Sequence, residues 1–122
     1  MLRAVEAYGR DPSRIVAVGY SNGANIAVGL LFRRPGLLRG AALLRAMLPY
    51  VPEPLPALAG TDVLVAAGRH DPYSPPESSA GLVGVLEEAG AAVRANVVPA
   101  GHELTHEDLG ATAAFVRELT AG

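Results

Sequence analysis

Residues 15–26, IVAVGYSNGANI, place one serine between two glycines in the spacing G-x-S-x-G. The apolar run before it, residues 15–19, is rich in β-branched side chains and predicts a buried strand. Residues 22–32 predict a helix, which ends before a Pro-Gly pair. A strand, a tight turn and a helix around Ser21 form the context in which a serine hydroxyl projects clear of a sheet as a nucleophile.

The turn itself leaves two interpretations of Ser21. Glycine at positions 19 and 23 lets neighbouring backbone approach closely. The first N–H groups of the following helix, beginning with that of Asn22, would then lie where an oxyanion develops. The same residues also suit a glycine-rich turn in which Ser21 only caps the helix. The spacing alone does not decide between a nucleophile and a cap.

The rest of the chain repeats the alternation of strands and helices. Apolar runs predict strands at residues 40–45, 63–67 and 93–98, and helical patterns cover residues 77–89 and 105–119. The proline-rich segment between the second and third strands predicts a loop, and residues 2–8 predict a short helix that stops at Gly9. Strands that alternate with helices predict an α/β fold with a parallel four-stranded sheet and flanking helices. No boundary divides residues 1–122, so a single domain is expected.

Two further polar residues follow predicted strands. Asp71 comes four residues after the strand at 63–67, and His102 lies just past the strand at 93–98. The carboxyl ends of parallel strands share one edge of a sheet, so Ser21, Asp71 and His102 are expected to meet there. A serine nucleophile needs a base and an orienting acid, and Ser, Asp, His is the chain order typical of α/β-hydrolases. Asp71 also precedes a proline, where it could simply begin a turn.

A metal site is the alternative for the histidines. His102 and His106 are four residues apart, a spacing that suits metal ligands on one helix. However, Thr105 and Asp108 resemble a capping box at a helix start, which places His102 in a loop and His106 in the helix. No acidic third ligand is aimed at both histidines, so no metal is predicted.

Composition excludes several other classes of function. Half of the 122 residues are apolar, which is enough for one hydrophobic core, and the net charge of −2 gives no reason to expect nucleic acid or an anionic membrane as partner. The chain has no cysteine, which excludes disulfides and thiolate chemistry. It has neither an apolar secretion signal at its start nor a run of about 18 apolar residues. We therefore expect a cytoplasmic protein.

Four stretches together resemble a known family: GYSNGANIA (19–27), LLRAMLP (43–49), AGRHDPYSPPE (67–77) and PAGHELTHEDL (99–109). In this order they are similar to the phospholipase/carboxylesterase branch of the α/β-hydrolases, in particular to small bacterial serine esterases of the hydroquinone-resistance type. The resemblance implies Ser21 as nucleophile, Asp71 as acid and His102 as general base, with short-chain carboxylic esters as substrates and no cofactor.

The resemblance also suggests which residues contact the substrate. The LLRAMLP segment matches one that lines the acyl pocket in the family, which makes Met47 and Leu48 candidate contacts. Tyr20 and Tyr73 flank the predicted site in sequence and are candidates for shaping the pocket, although ordinary packing at its rim explains them equally well. Asn22 would supply one oxyanion N–H.

The resemblance extends only to the C-terminal part of the family's fold. The strands that normally precede the nucleophile, and the loop that supplies the second oxyanion N–H, have no match in this chain. A non-catalytic remnant, fragment or interaction module is therefore the alternative to a working esterase. Residues 15–19 would also lie at an exposed sheet edge, which predicts a homodimer through antiparallel pairing with a second copy or, alternatively, through packing of exposed helices.

Overall fold

A computed structural model of the chain describes residues 5–8 and 15–120. It contains a five-stranded sheet and three helices, and the strands lie in the sheet in chain order. The strands are β1 Val5–Tyr8, β2 Val16–Tyr20, β3 Gly40–Leu44, β4 Asp62–Gly68 and β5 Ala92–Val98. The helices are α1 Asn22–Arg33, α2 Pro76–Glu88 and α3 His106–Thr120.

The four strands β2 to β5 run parallel, so the predicted parallel sheet with flanking helices is confirmed. Helices α1 and α2 connect successive strands, whereas the proline-rich segment between β3 and β4 contains neither helix nor strand. This segment crosses from the carboxyl end of β3 to the amino end of β4. Its prolines lack the N–H groups that regular structure requires.

Alternate residues of the strands enter two separate cores. Leu43 of β3 and Val65 of β4 belong to a large cluster with the apolar faces of α1 and α2. Ala42 and Leu64, one residue away on the same strands, join a smaller cluster with Phe115 of α3. Successive side chains of a strand face opposite ways, so helices on both sides bury β3 and nearly all of β4, whereas most residues of the outer strand β5 are exposed or half-buried. This is why the central strands are almost wholly apolar.

Strand β1 corrects the prediction of a helix over residues 2–8. Residues 5–8 pair antiparallel with β2, from Val5 opposite Gly19 to Tyr8 opposite Val16. Without β1 the outer N–H and C=O groups of β2 would lack partners, and this ladder satisfies them whereas a helix would not. The remainder of the predicted helix, residues 2–4, and its stop at Gly9 lie outside the described residues.

The same strand overturns one predicted dimer geometry. Pairing of residues 15–19 with a second copy requires a free edge on β2, and β1 occupies that edge. The outer strands of the sheet are β1 and β5 instead. Within the described part of the chain, no helix has the length and apolar character needed to cross a bilayer.

Candidate active site

Ser21 occupies a sharp turn between β2 and α1. Its backbone has φ 58° and ψ −117°, a conformation that costs free energy for a residue with a side chain. Its N–H donates to the carbonyl of Leu44 at 2.8 Å, which fixes the turn to the end of β3. A Cβ atom at Gly19 would lie 2.5 Å from the Gly23 carbonyl oxygen, so glycine is required there. Ser21 stands at the N-cap position of α1, but its side chain makes no capping hydrogen bond.

The hydroxyl of Ser21 contacts His102 instead. Ser21 Oγ lies 2.9 Å from His102 Nε2, and His102 Nδ1 lies 2.7 Å from Asp71 Oδ2. A carboxylate can only accept, so the proton of the neutral imidazole belongs on Nδ1. Nε2 is then the acceptor that faces the serine hydroxyl. The three residues predicted from their positions after β2, β4 and β5 thus form one hydrogen-bonded chain.

Asp71 serves two purposes at once. Its Oδ1 accepts from the N–H groups of Tyr73 at 2.8 Å and Ser74 at 3.0 Å, while Oδ2 faces His102. Asp71 therefore forms the expected turn through one oxygen and contacts His102 through the other. Burial by itself would raise the pKa of Asp71, but the hydrogen bonds from His102, Ser74 and Tyr73 outweigh burial and lower it. The carboxyl group is accordingly ionised at neutral pH.

The loops that carry Asp71 and His102 touch each other through backbone. A Cβ atom at Gly68 would lie only 2.1 Å from the Gly101 carbonyl oxygen. The N–H of His70 donates to the Ala100 carbonyl at 2.9 Å. The absence of a side chain at Gly68 lets the two loops approach closely enough for the carboxylate to reach the imidazole.

A cleft of about 420 Å³ opens beside this chain of residues. Its lining residues are Ser21, Asn22, Asn25, Arg45, Met47, Tyr73, Ser74 and His102. Of the predicted substrate contacts, Met47 and Tyr73 therefore line the cleft, as does the predicted oxyanion residue Asn22. Leu48 is not among these lining residues, because its side chain packs against the large core cluster.

Both tyrosine rings lie close to the His102 ring. The ring centroids of Tyr20 and Tyr73 lie 5.5 and 5.2 Å from that of His102. The Tyr20 hydroxyl donates to the His102 carbonyl at 2.9 Å. Tyr20 thus contacts the histidine loop, and Tyr73, with 69% of its surface exposed, lies at the mouth of the cleft.

Three lining residues were not predicted from the sequence. Asn25 lies one helical turn after Ser21, and its Oδ1 accepts from the N–H of Met47 at 2.9 Å. The hydroxyl of Ser74 donates to the carbonyl of Ala46. Arg45 is 1% exposed and directly follows the apolar strand β3. A charged residue at the carboxyl end of a buried strand is unusual, and this was the available signal for Arg45.

The surroundings of the second histidine agree with the capping-box prediction. His106 is the first residue of α3. Thr105 Oγ1 accepts from the Asp108 N–H at 3.1 Å, and Asp108 Oδ2 accepts from the Thr105 N–H at 2.8 Å. Across residues 5–8 and 15–120, no three His, Asp or Glu side chains lie close enough together to bind a metal ion.

Several proteins with similar sequences or structures carry the name hydrolase or carboxylesterase. The chain is 40% identical over 105 residues to the putative hydrolase MhqD of Bacillus subtilis (strain 168), which covers 86% of this chain and 52% of the relative. The carboxylesterase of Bacillus cereus superposes with a TM-score of 0.84 at 39% identity, over 89% of this chain and 51% of that one. No family model matches the chain.

A second solved structure agrees with the first. The carboxylesterase of Mesorhizobium loti is 42% identical and superposes with a TM-score of 0.69, over 86% of this chain and 48% of that one. The chain has a truncated α/β-hydrolase fold and is similar to esterases with that fold. It spans about half the length of the relatives that it matches.

Proposed function

We propose that this α/β-hydrolase is a serine carboxylesterase that hydrolyses short-chain esters with Ser21, His102 and Asp71. The observation that carries the proposal is the continuous chain of hydrogen bonds from Ser21 Oγ through His102 to Asp71, beside an open cleft. Support also comes from the relatives, two of which are carboxylesterases.

The geometry supports acyl transfer in two steps. His102 Nε2 removes the proton of Ser21 as Oγ attacks the ester carbonyl carbon, and Asp71 stabilises the resulting imidazolium. The ester C–O bond then breaks, the alcohol leaves with the proton from His102, and the acyl group stays on Ser21. A water molecule, deprotonated by the same nitrogen, attacks the acyl carbon and releases the carboxylic acid and free Ser21.

The N–H of Asn22 is the donor that we assign to the oxyanion. It is the first helical residue of α1, where backbone N–H groups lack intrahelical partners, and it lines the cleft. In the family, a second donor comes from a loop that has no match in this sequence. Loss of one oxyanion donor lowers kcat by about 10² to 10³. We therefore expect slow turnover by residues 1–122 on their own.

The size of the cleft supports short-chain esters as the proposed substrates. Its volume of about 420 Å³ includes the space next to Ser21, and Met47 and Tyr73 border it. Ligand pockets that bury a drug-sized molecule occupy about 300–1,000 Å³, so this cleft is at the small end of that range. Acetyl and butyryl esters are the expected substrates, with longer acyl chains hydrolysed more slowly.

Hydrolysis of p-nitrophenyl acetate, butyrate and octanoate by the purified chain tests the proposal. Ser21→Ala should abolish turnover, because it removes the attacking oxygen. Ser78→Ala is the matched control, since Ser78 lies on α2 and outside the lining of the cleft. Equal turnover by the wild type and Ser21→Ala would refute the proposal.

A non-catalytic role is the second candidate, and it is favoured by one observation: the chain spans about half the length of its relatives. Such a module would retain the three residues without completing a reaction cycle. A fluorophosphonate probe separates the two functions. Stoichiometric labelling of Ser21 without turnover would support the non-catalytic module, whereas labelling with turnover supports the esterase.

Homodimerisation remains a prediction in its second form, in which exposed helical surface packs against a second copy. Ile26 on α1 and Leu109 on α3 are large apolar side chains with 52% and 54% of their surface exposed. Light scattering at micromolar concentration checks the prediction. A monomer mass would contradict it.

A further inference from the structure

Arg45 is a buried cation in a strained backbone conformation. It directly follows β3, has φ 59°, and is 1% exposed. Its N–H donates to the Ala66 carbonyl of β4 at 2.9 Å. A non-glycine residue adopts the left-handed conformation only where surrounding contacts hold it there. The contacts of the Arg45 side chain show what holds it.

The guanidinium of Arg45 holds the loop that carries His102. Its Nε donates to the Gly101 carbonyl at 3.0 Å, and its Nη2 donates to the Glu103 carbonyl at 2.8 Å. These are the carbonyls on either side of His102. The carbonyl of His102 itself accepts from Tyr20 at 2.9 Å. Three successive loop carbonyls are thus anchored to residues at the carboxyl ends of β2 and β3.

Asp108 keeps the guanidinium in place. Its two carboxylate oxygens accept from Nη1 at 3.1 Å and from Nη2 at 2.7 Å, and both side chains are fully buried. Nη1 also donates to the Ala66 carbonyl at 3.3 Å. A guanidinium has five N–H donors, and these contacts use all five. Although Arg45 lines the cleft, no donor remains for an anionic substrate.

We propose that Arg45 is the positioning residue of His102: it fixes the loop so that the imidazole spans Ser21 and Asp71. This inference rests on the proposed esterase function. It assigns Arg45 a role through the backbone of residues 101 and 103 and not through contact with the ester. A planar guanidinium with several fixed N–H groups, a rigid fork, is needed because one side chain must donate to two carbonyls that lie on either side of the histidine.

Arg45→Lys tests the inference because lysine keeps the charge but lacks the planar fork. A misplacement of a catalytic group by about 1 Å can cost about 10² in rate, so kcat should fall about 10- to 100-fold while KM changes less than about threefold. Arg39→Lys is the matched control. Arg39 precedes β3 at the opposite edge of the sheet and pairs with Asp62, likewise an arginine–aspartate pair.

A spectroscopic readout separates this inference from the proposed function. The proton in the hydrogen bond between His102 Nδ1 and Asp71 should give a low-field NMR resonance. This resonance should be present in the wild type and in Arg39→Lys, and broadened or lost in Arg45→Lys. This result supports the inference even if the wild type shows no turnover that depends on Ser21. An unchanged resonance in Arg45→Lys, or its absence from the folded wild type, overturns the inference.

A double variant covers the case in which Arg45→Lys does not fold. Replacing both partners leaves no unpaired charge in the interior, so Arg45→Met/Asp108→Leu removes the guanidinium at a smaller cost in folding free energy than the loss of one partner alone. It should lose the low-field resonance of His102 and show the same loss of kcat. A folded double variant with wild-type resonance and kcat would contradict the positioning role.

Discussion

Two residues have strained backbone conformations, and both lie at the edge of the sheet where the candidate site is found. Ser21 and Arg45 are the non-glycine residues with positive φ in the described part of the chain. They follow the neighbouring strands β2 and β3, and each is held by a backbone hydrogen bond to the next strand. Such strain is retained where surrounding contacts determine the conformation, which is typical of functional sites.

Asp71→Asn should lower kcat by roughly 10⁴, the loss found when the aspartate of another serine triad is replaced. Asparagine keeps an acceptor for the turn to Tyr73 and Ser74, but its amide donates to His102 and places the imidazole proton on the wrong nitrogen. Steady-state kinetics measure the effect. Asp62→Asn, at the amino end of β4, is the matched control and should retain turnover. Near-normal turnover by Asp71→Asn would show that the orientation of His102 does not depend on this carboxylate.

The loops after β4 and β5 are in contact through their backbones. Gly68→Ala should reduce both turnover and the free energy of unfolding, because its Cβ would lie 2.1 Å from the Gly101 carbonyl oxygen. Gly29→Ala in α1 is the control: its Cβ meets nothing within 4 Å, and alanine in a helix is more stable than glycine by about 0.5–1 kcal/mol. Kinetics and urea unfolding of both variants test the prediction, and equal behaviour would contradict it.

Helix α3 is tied to β3 by the buried pair of Asp108 and Arg45. Asp108→Asn should lower the free energy of unfolding by about 3–5 kcal/mol, because it leaves the Arg45 charge buried without its counter-charge. Glu118→Gln provides the comparison, since Glu118 pairs with Arg94 at the surface and its loss should change stability little. Urea unfolding monitored by circular dichroism measures both. A small effect of Asp108→Asn would indicate that water or another group compensates Arg45.

For the whole molecule, stability should decrease in acid. Burial raises the pKa of Asp108, but hydrogen bonds from Arg45 and Thr105 outweigh it, so that both Asp108 and Asp71 have lowered pKa values in the folded state. The unfolded chain then binds more protons, so their contribution is fully present above the unfolded pKa of about 3.9 and is lost as pH falls through the folded values.

Urea midpoints measured between about pH 7 and pH 3 check this prediction, and Asp108→Asn should show a weaker dependence on pH. Asn cannot be protonated in this range, so its variant lacks one of the two contributions. A midpoint that stays constant from pH 7 to pH 3 in the wild type would contradict the lowered pKa values.

Local sequence patterns were enough to predict the parallel strands, their helices and the three residues of the candidate site. Periodicity is a local property, and the carboxyl ends of parallel strands share one edge, so Ser21, Asp71 and His102 could be placed together without coordinates. The strand, turn and helix around Ser21 follow from residues within about one turn of it, and the capping box of α3 follows from Thr105 and Asp108.

Features that depend on residues distant in sequence could be seen only in the folded structure. Residues 5–8 form a strand because they pair with the N–H and C=O groups at the edge of β2. These hydrogen bonds outweigh the local helical pattern. The role of Arg45 depends on carbonyls 56 and 58 residues away and on a carboxylate 63 residues away. No local pattern encodes such contacts, because they form only when the sheet, the histidine loop and α3 have packed together.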